Sequence, residues 1–310
     1  MPKQMDNRFE DNFKKVEKLL GAMEKEMARA YKDALIEVDA KLTKLYRKYS
    51  QSGSLTFNEM SKYDRLKNML KDINGAYNKA TNQSRDITIK TMTGITKDGY
   101  YKSGWIFETE SGMSLNFRLL PKKAIEEIVL NPQSGLDVIK TFSKNKIGGI
   151  FKIRQAITQG LIQGESVRKM ADRIKDQFEK GYSDAERVIR TEGLRVYETA
   201  KLKAFDKAEA GGLKLKRRWI AGIDDRTRSA HISMNGTFAD KNNKFVLVAG
   251  IGAGQKVDGP HLTGIASQDI NCRCTTVAEP DNEEAFDDKK RNEDYLEWLK
   301  INNIKGVKNV

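Results

Sequence analysis

The chain has 310 residues, of which 32% are charged and 38% are hydrophobic. It is therefore long enough for about two domains with cores of their own, and its composition is not that of a disordered protein. No apolar run approaches the ~20 residues of a membrane-spanning helix, and the first ten residues contain no apolar signal core. Two cysteines make no disulfide framework, so we expect a soluble protein of a reducing compartment.

The net charge of +13 is unevenly distributed along the chain. Residues 1–90 carry a net charge of +6 and residues 151–218 a net charge of +7, whereas residues 219–278 carry only +1 and residues 279–310 carry −3. A surface that binds phosphate groups is therefore expected on the basic helices rather than near the C-terminus. The alternative is that the excess charge only keeps the protein in solution.

Residues 7–49 are predicted to form one long helix. Apolar side chains recur at spacings of three and four from Phe9 to Tyr49, and the first half keeps close to the heptad pattern of a coiled coil. At 1.5 Å per residue such a helix is roughly 60 Å long, so its apolar stripe needs a partner.

A second helix is predicted over residues 57–83. Thr56 and Glu59 have the spacing of a capping box, and an apolar stripe follows them. The two helices are expected to pair as an antiparallel hairpin within residues 1–92. The alternative is that the first helix pairs with a second copy of itself or with another protein.

Residues 93–146 are predicted to form a mixed connector. Short apolar runs there are separated by four glycines, a pattern typical of strands or loops: Gly94, Gly99, Gly104 and Gly112. Pro121 is expected in the first turn of a helix that ends at Leu130, before the Asn131-Pro132 pair.

Residues 147–210 are predicted to form three basic helices. Breaks are expected at Gly164 and Gly181, and the third helix is expected to end at Gly211-Gly212. We expect basic side chains on these helices to contact DNA or an acidic partner surface. They are Arg154, Arg168, Lys169, Arg173, Arg187, Arg190, Arg195 and Lys201.

The remaining segments predict a small β-containing module and a C-terminal helix. Short antiparallel strands are expected at residues 214–220, 245–248 and 275–277, within a module of residues 213–278. An acidic amphipathic helix is expected over residues 283–302, followed by a tail. The predicted fold class is therefore α+β and mostly α.

The β-containing module holds every histidine and cysteine of the chain. Cys272 and Cys274 would point the same way on a strand, so both could reach one metal ion. His231 and His261 would complete a Cys2His2 set for a structural zinc ion, although the spacing is not that of a standard zinc finger. The alternative, which we favour, is that the two cysteines are small buried side chains packed near Trp219. No other cofactor is predicted.

The run Asp225-Arg226-Thr227-Arg228, followed by His231, resembles an active site. Asp225 could orient Arg228 or His231, or cap the short helix that carries them. Glu192 is expected to bind Arg226 or Arg228. We favour a salt-bridge network that holds a loop over a catalytic role. The sequence contains no nucleotide-binding loop and no nucleophile elbow.

The order of these motifs resembles the phage Mu F-like minor head protein family, also called the phage head morphogenesis domain. The motifs are Arg190-Thr191-Glu192 in a helix, a basic strand with Trp219, the arginine run with His231, a later proline, and a closing Asn271-Cys272-Arg273-Cys274. The resemblance covers roughly residues 147–278.

The resemblance implies a low-copy head protein of a tailed phage, located in the virion inside the capsid near the portal, and in the host cytoplasm during assembly. Its implied partners are the portal protein, double-stranded DNA, and capsid or scaffolding proteins, with no membrane, during head assembly and DNA ejection. This reading predicts no enzyme. The alternatives are a small metal- or His/Arg-dependent nuclease or transferase module delivered with phage DNA, and a host-derived helical DNA-binding protein.

Overall fold

The computed structural model describes residues 2–50, 54–130, 137–281, 291–305 and 307. The fold is α+β and mostly α, as predicted, with four long helices and four short strands among these residues. The long helices are α1 (Pro2–Tyr49), α3 (Arg65–Ser111), α5 (Val138–Ile162) and α6 (Val167–Ala210). In the part of the chain that the structure describes, no helix is long and apolar enough to cross a membrane.

The chain divides into two compact units. One unit, here called the module unit, comprises Met1–Gly21, Ile89–Asp137 and Ile189–Val310. The other, here called the hairpin-end unit, comprises Ala22–Thr88 and Val138–Val188. Helices α1, α3 and α6 contribute residues to both units. The domain ranges expected from composition and motifs stay predictions.

Helices α1 and α3 pair in opposite directions along the chain. In the module unit the rings of Phe9 and Phe107 pack at 5.5 Å between centroids. In the hairpin-end unit the hydroxyls of Tyr31 and Thr81 lie 3.2 Å apart. Between the two helices lie the short helix α2 (Phe57–Ser61), which Thr56 caps as predicted, and a 3-10 turn. The long apolar stripe of α1 therefore packs against side chains of the same chain.

The prediction of strands or loops was wrong for residues 93–111, because α3 continues to Ser111, but it is confirmed for residues 112–119, which form a loop. Two of the glycines there are points of close packing. A Cβ atom at Gly99 would lie 2.9 Å from the carbonyl oxygen of Tyr197, and one at Gly104 would lie 2.7 Å from the ring of Phe117. From the sequence alone, a glycine that allows close packing inside a helix cannot be distinguished from a glycine that ends a helix. Helix α4 (Lys122–Leu130) does follow Pro121, as predicted.

The predicted break at Gly181 was also wrong, because α6 is continuous from Val167 to Ala210. A Cβ atom at Gly181 would lie 2.6 Å from the hydroxyl oxygen of Tyr77, so this glycine too admits a close neighbour. The other two breaks were predicted correctly. Gly164 and Gly212 have φ angles of +60° and +102°, which glycine adopts without strain.

Two small antiparallel sheets lie in the module unit. Strand β1 (Leu215–Ile220) pairs with β4 (Thr275–Pro280), and β2 (Phe245–Val246) pairs with β3 (Lys256–Val257). Two short helices, α7 (Ser229–Met234) and α8 (Ala266–Asp269), interrupt the connections between strands. These elements bring together segments that are far apart in the sequence.

The C-terminal helix is shorter than predicted. Helix α9 spans Tyr295–Ile301, and the Asp294 carboxylate caps it by accepting the Glu297 backbone N–H at 2.9 Å. Asp294 has an extended backbone, so the helix begins after it. The first part of the predicted helix, residues 283–290, lies outside the described residues.

Candidate metal centre

The core of the β-containing module is built around Trp219. This side chain lies on β1 and is fully buried. Its ring packs edge-on against Phe245 at 5.5 Å and against His231 at 6.2 Å between centroids. The buried cysteines Cys272 and Cys274 belong to the same apolar cluster, so the expected packing near Trp219 is confirmed.

His231 meets both cysteines in this core. Its Nδ1 atom lies 3.5 Å from Sγ of Cys272 and 3.3 Å from Sγ of Cys274. The three potential ligand atoms all lie within 4.8 Å of one another, and all three side chains are buried. One imidazole and two thiols are donors that zinc and other borderline or soft metal ions prefer. The cluster could therefore hold a metal ion.

Gln268 on α8 orients His231 toward the sulfur atoms. The amide nitrogen of Gln268 donates to the carbonyl oxygen of Ile251 at 2.8 Å, so its Oε1 atom faces the imidazole. His231 Nε2 lies 2.8 Å from this oxygen and donates to it. A hydrogen bond on the outer nitrogen fixes the ring and leaves Nδ1 to face the cysteines, which is how metal-binding histidines are usually supported.

The three groups change one another's proton affinity. The hydrogen bond from the Cys272 thiol, and next the nearby His231, lower the pKa of Cys274. Burial raises the pKa of Cys272 well above its usual value. Burial opposes the charged form of His231, but the hydrogen bond and the charge of Cys274 outweigh it and raise the pKa of the imidazole. These shifts favour a state in which Cys274 is a thiolate and Cys272 remains a thiol beside the His231 ring.

His261 does not join the cluster, contrary to the predicted Cys2His2 set. Its Nε2 atom donates to the backbone oxygen of Cys274 at 3.0 Å. Burial lowers the pKa of His261 to about 3, so the ring is neutral. Its backbone has a φ of +63°, a left-handed conformation that is uncommon for residues other than glycine. Three protein ligands remain.

The acidic partner in the arginine run is Asp224, not Asp225. Both guanidinium Nη atoms of Arg273 bind the Asp224 carboxylate, and the backbone N–H of Arg226 donates to it at 2.9 Å. These contacts hold the pKa of Asp224 well below its usual range. Asp225 is exposed and neither orients Arg228 nor caps α7, whose N-terminus has no side-chain cap.

The two arginines of the run have different surroundings. The Arg226 side chain is 72% exposed, and its guanidinium lies 3.5 Å from Asp224. Arg228 donates to the carbonyl oxygen of Ile270 at 2.6 Å and so ties the run to the segment before Cys272. Glu192 binds Arg195 at 2.6 Å, one turn further along α6, rather than either arginine of the run. These contacts fit a structural network around the His231, Cys272 and Cys274 cluster.

The predicted DNA-binding residues do not form one surface. Lys201 and Arg195 are buried, because their positions on α6 face β4 and the end of α4. Arg173 and Lys169 pair with Glu165, and Arg187 pairs with Asp184. Arg154 and Arg168 are exposed, and Arg190 is half-buried. Charge alone did not separate surface cations from buried ones.

Sequence reasoning missed two residues of this centre. Gln268 lies in a polar stretch with no motif, and nothing in the sequence distinguishes it. Asp224 directly precedes Asp225, the residue predicted from the sequence, and no local pattern distinguishes these two adjacent aspartates. Both are identified only by what they contact.

Comparison with known proteins shows which family and which relatives the chain resembles. The model of the family described as Phage Mu protein F like protein matches residues 151–277. This match confirms the resemblance seen in the motif order. The chain is also 27% identical over 289 residues to the minor head protein GP7 of Bacillus phage SPP1, covering 91% of this chain and 90% of that protein.

A second relative has a different description. The NAD(+)--arginine ADP-ribosyltransferase EFV of Enterococcus faecalis is 28% identical over 253 residues. The match covers 81% of this chain but 50% of that protein. No solved structure matches the chain.

Proposed function

We propose that this chain is a minor head protein of a tailed bacteriophage and a component of the virion. The observation that carries this function is the similarity to the SPP1 minor head protein, which extends over nearly the full length of both chains. The match to the Phage Mu protein F like family over residues 151–277 supports the same function.

The partners of such a protein follow as part of the proposal. We propose that it assembles into the head in few copies, next to the portal protein, and that it contacts double-stranded DNA. The net charge of +13 supports contact with a polyanion. Capsid or scaffolding proteins are the other expected partners, and the host cytoplasm is the expected place of assembly.

The location is tested by quantitative mass spectrometry of purified phage particles that carry this gene. We expect the chain in DNA-filled particles at a few copies per portal ring, and we expect a tagged portal protein to retain it from lysates of infected cells. Absence from particles, with abundant protein in the lysate, would contradict a head protein and favour the helical DNA-binding protein of the host.

We further propose that His231, Cys272 and Cys274 hold a structural zinc ion. A structural site normally has four ligands, and among the described residues these three converge. The ion would link α7 to the segment before β4 across about forty residues of chain, and so stabilise the module. The residues bind and orient the metal, and no chemical step is assigned to it.

Metal analysis of protein purified with zinc tests this site. We expect about one zinc ion per chain, lost together with thermal stability in His231→Ala and in Cys274→Ala. His261→Ala is the matched control, because His261 binds the backbone, and it should retain the metal. Gln268→Leu should weaken zinc binding by roughly tenfold or more, because the imidazole loses its support. A correctly folded wild-type protein without any metal would disprove the zinc site.

A transferase is the second candidate function, and one observation favours it. The relative described as an ADP-ribosyltransferase matches most of this chain but half of its own length. Incubation with labelled NAD+ and an arginine-rich acceptor protein separates the two functions. We expect no transfer above that of heat-denatured protein, and a clear transfer would make the head protein an enzyme as well.

A further inference from the structure

The hairpin-end unit contains a cavity rich in cations and tyrosines. It has a volume of about 530 Å³, and its lining includes Lys41, Lys44, Lys48, Arg65, Tyr49 and Tyr63. One acidic side chain, Asp72, also faces it. All these residues lie in the last turns of α1 and the first turns after it, far in sequence from residues 151–277.

Part of the positive charge in this cavity is not neutralised. Lys41 lies 2.9 Å from Glu37 and 3.8 Å from Asp72, and Arg65 lies 3.2 Å from Glu59. Among the residues that the structure describes, no carboxylate lies within 4 Å of Lys44 or Lys48. These two lysines lie one helical turn apart on the exposed side of α1. They thus form a cationic pair at the mouth of the cavity.

Aromatic rings alternate with these cations. The guanidinium carbon of Arg65 lies 3.8 Å from the ring centroid of Tyr49 and 5.1 Å from that of Tyr63. The Tyr63 side chain is 84% exposed, the most exposed of the large apolar and aromatic side chains that the structure describes. Its backbone adopts φ 55° and ψ 36°, a left-handed conformation that tyrosine rarely takes, and Asp64 has a φ of 55° as well. This turn holds an aromatic ring in solvent beside the cations.

We propose that this cavity is a nucleic-acid site, in which Lys44 and Lys48 bind phosphates and Tyr63 stacks on a base. The inference rests on the proposed head protein meeting DNA, and it places that contact on the hairpin end rather than on the basic helices of residues 147–210. Cations interleaved with an exposed aromatic ring suit a phosphate backbone with accessible bases. An acidic protein surface would use the cations and leave the ring without a partner.

Fluorescence anisotropy with labelled single- and double-stranded 30-mers tests the site in the full-length chain. The variant Lys44→Glu/Lys48→Glu should bind both oligonucleotides about tenfold or more weakly at 0.1 M salt, with a shallower dependence on salt. Arg168→Glu/Lys175→Glu is the matched control, since it reverses two charges on the surface of α6. It should bind within about twofold of wild type, and melting curves should show all variants folded.

The Tyr63 variants test whether a base stacks in this cavity. Tyr63→Ala should weaken binding of the single strand about fivefold or more, and Tyr63→Phe should restore it, because stacking needs the ring and not the hydroxyl. If Tyr63→Ala has no effect while the lysine variant is weakened, the lysines bind phosphates alone, and the proposed stacking of Tyr63 on a base is overturned.

Two further outcomes would overturn the site. Equal losses in the α6 control and the lysine variant would show that binding follows total charge and not this cavity. Wild-type protein that binds neither oligonucleotide would remove the nucleic-acid site altogether. Neither outcome bears on the head protein itself, which the particle analysis decides separately.

Discussion

At the scale of single residues, Lys201 shows how burial changes the role of a charge. Its Nζ atom donates to Glu198 at 2.9 Å, to the hydroxyl of Thr275 at 2.6 Å and to the backbone oxygen of Thr276, and both charged side chains are completely buried. Burial lowers the pKa of Lys201, and Glu198 counters this effect. A residue that we expected on a DNA surface therefore joins α6 to β4.

Replacing Lys201 should cost stability. Lys201→Met leaves the Glu198 carboxylate buried without its cation, so we expect a loss of about 3–5 kcal/mol in the free energy of unfolding. Lys203→Met is the control, because Lys203 is exposed on the same helix and should change stability by less than about 0.5 kcal/mol. Urea unfolding of the three proteins measures both values. Equal stabilities for the two variants would contradict a structural role for Lys201.

At the scale of elements, the sequence predicted helices well and their interruptions poorly. The apolar stripe and the capping residue Thr56 correctly indicated α1 and α2, because both signals are local. Three glycines resemble breaks in the sequence but lie inside helices at close contacts: Gly99 with Tyr197, Gly104 with Phe117 and Gly181 with Tyr77. Whether a glycine ends a helix depends on which side chain lies opposite, and this is not a local property.

Two glycines of α3 should respond in opposite ways to alanine. A Cβ atom at Gly104 would meet the Phe117 ring at 2.7 Å, so Gly104→Ala should destabilise the protein by about 1–3 kcal/mol. Nothing lies within 4 Å of a Cβ atom at Gly94, so Gly94→Ala should stabilise it by about 0.5–1 kcal/mol through the higher helix propensity of alanine. Thermal unfolding followed by circular dichroism measures the two shifts. A stabilising Gly104→Ala would disprove the packing role.

At the scale of the whole molecule, the module unit brings the start of the chain onto its C-terminal sheet. Asp6 on α1 forms an ion pair with Arg218 on β1, which also lies 3.4 Å from Glu279 on β4. Burial raises the pKa of Asp6 to about 6, with Glu279 and Glu10 adding to the shift and Arg218 opposing it. The folded protein therefore holds a proton on Asp6 at a pH where the unfolded chain has lost it.

This raised pKa predicts a dependence of stability on pH. The stabilisation is present below the unfolded pKa of 3.8 and is lost as the pH rises through about 6. Asp6→Asn, which cannot ionise, should therefore gain stability relative to wild type between pH 4 and pH 7, by about 1 kcal/mol after allowance for solvent screening. Asp11→Asn, at an exposed position on the same helix, should show no such trend. Relative destabilisation of Asp6→Asn above pH 6 would mean that the Arg218 ion pair outweighs burial.

The fold class and the family resemblance could be predicted from the sequence alone. Helical stripes, caps and the order of short motifs are read from neighbouring residues, and they sufficed to indicate a mostly helical chain with a phage Mu F-like segment. The spacing of Cys272 and Cys274 also indicated that both side chains could bind one metal ion.

Which side chains contact one another could not be predicted from the sequence and is known from the three-dimensional structure. The tertiary structure brought His231 to both cysteines, placed Gln268 behind it and kept His261 outside the cluster. It also buried Lys201 and left Lys44 and Lys48 exposed beside a cavity. The reason is that the distance between residues dozens of positions apart is set by how helices and strands pack, and packing depends on the whole chain at once.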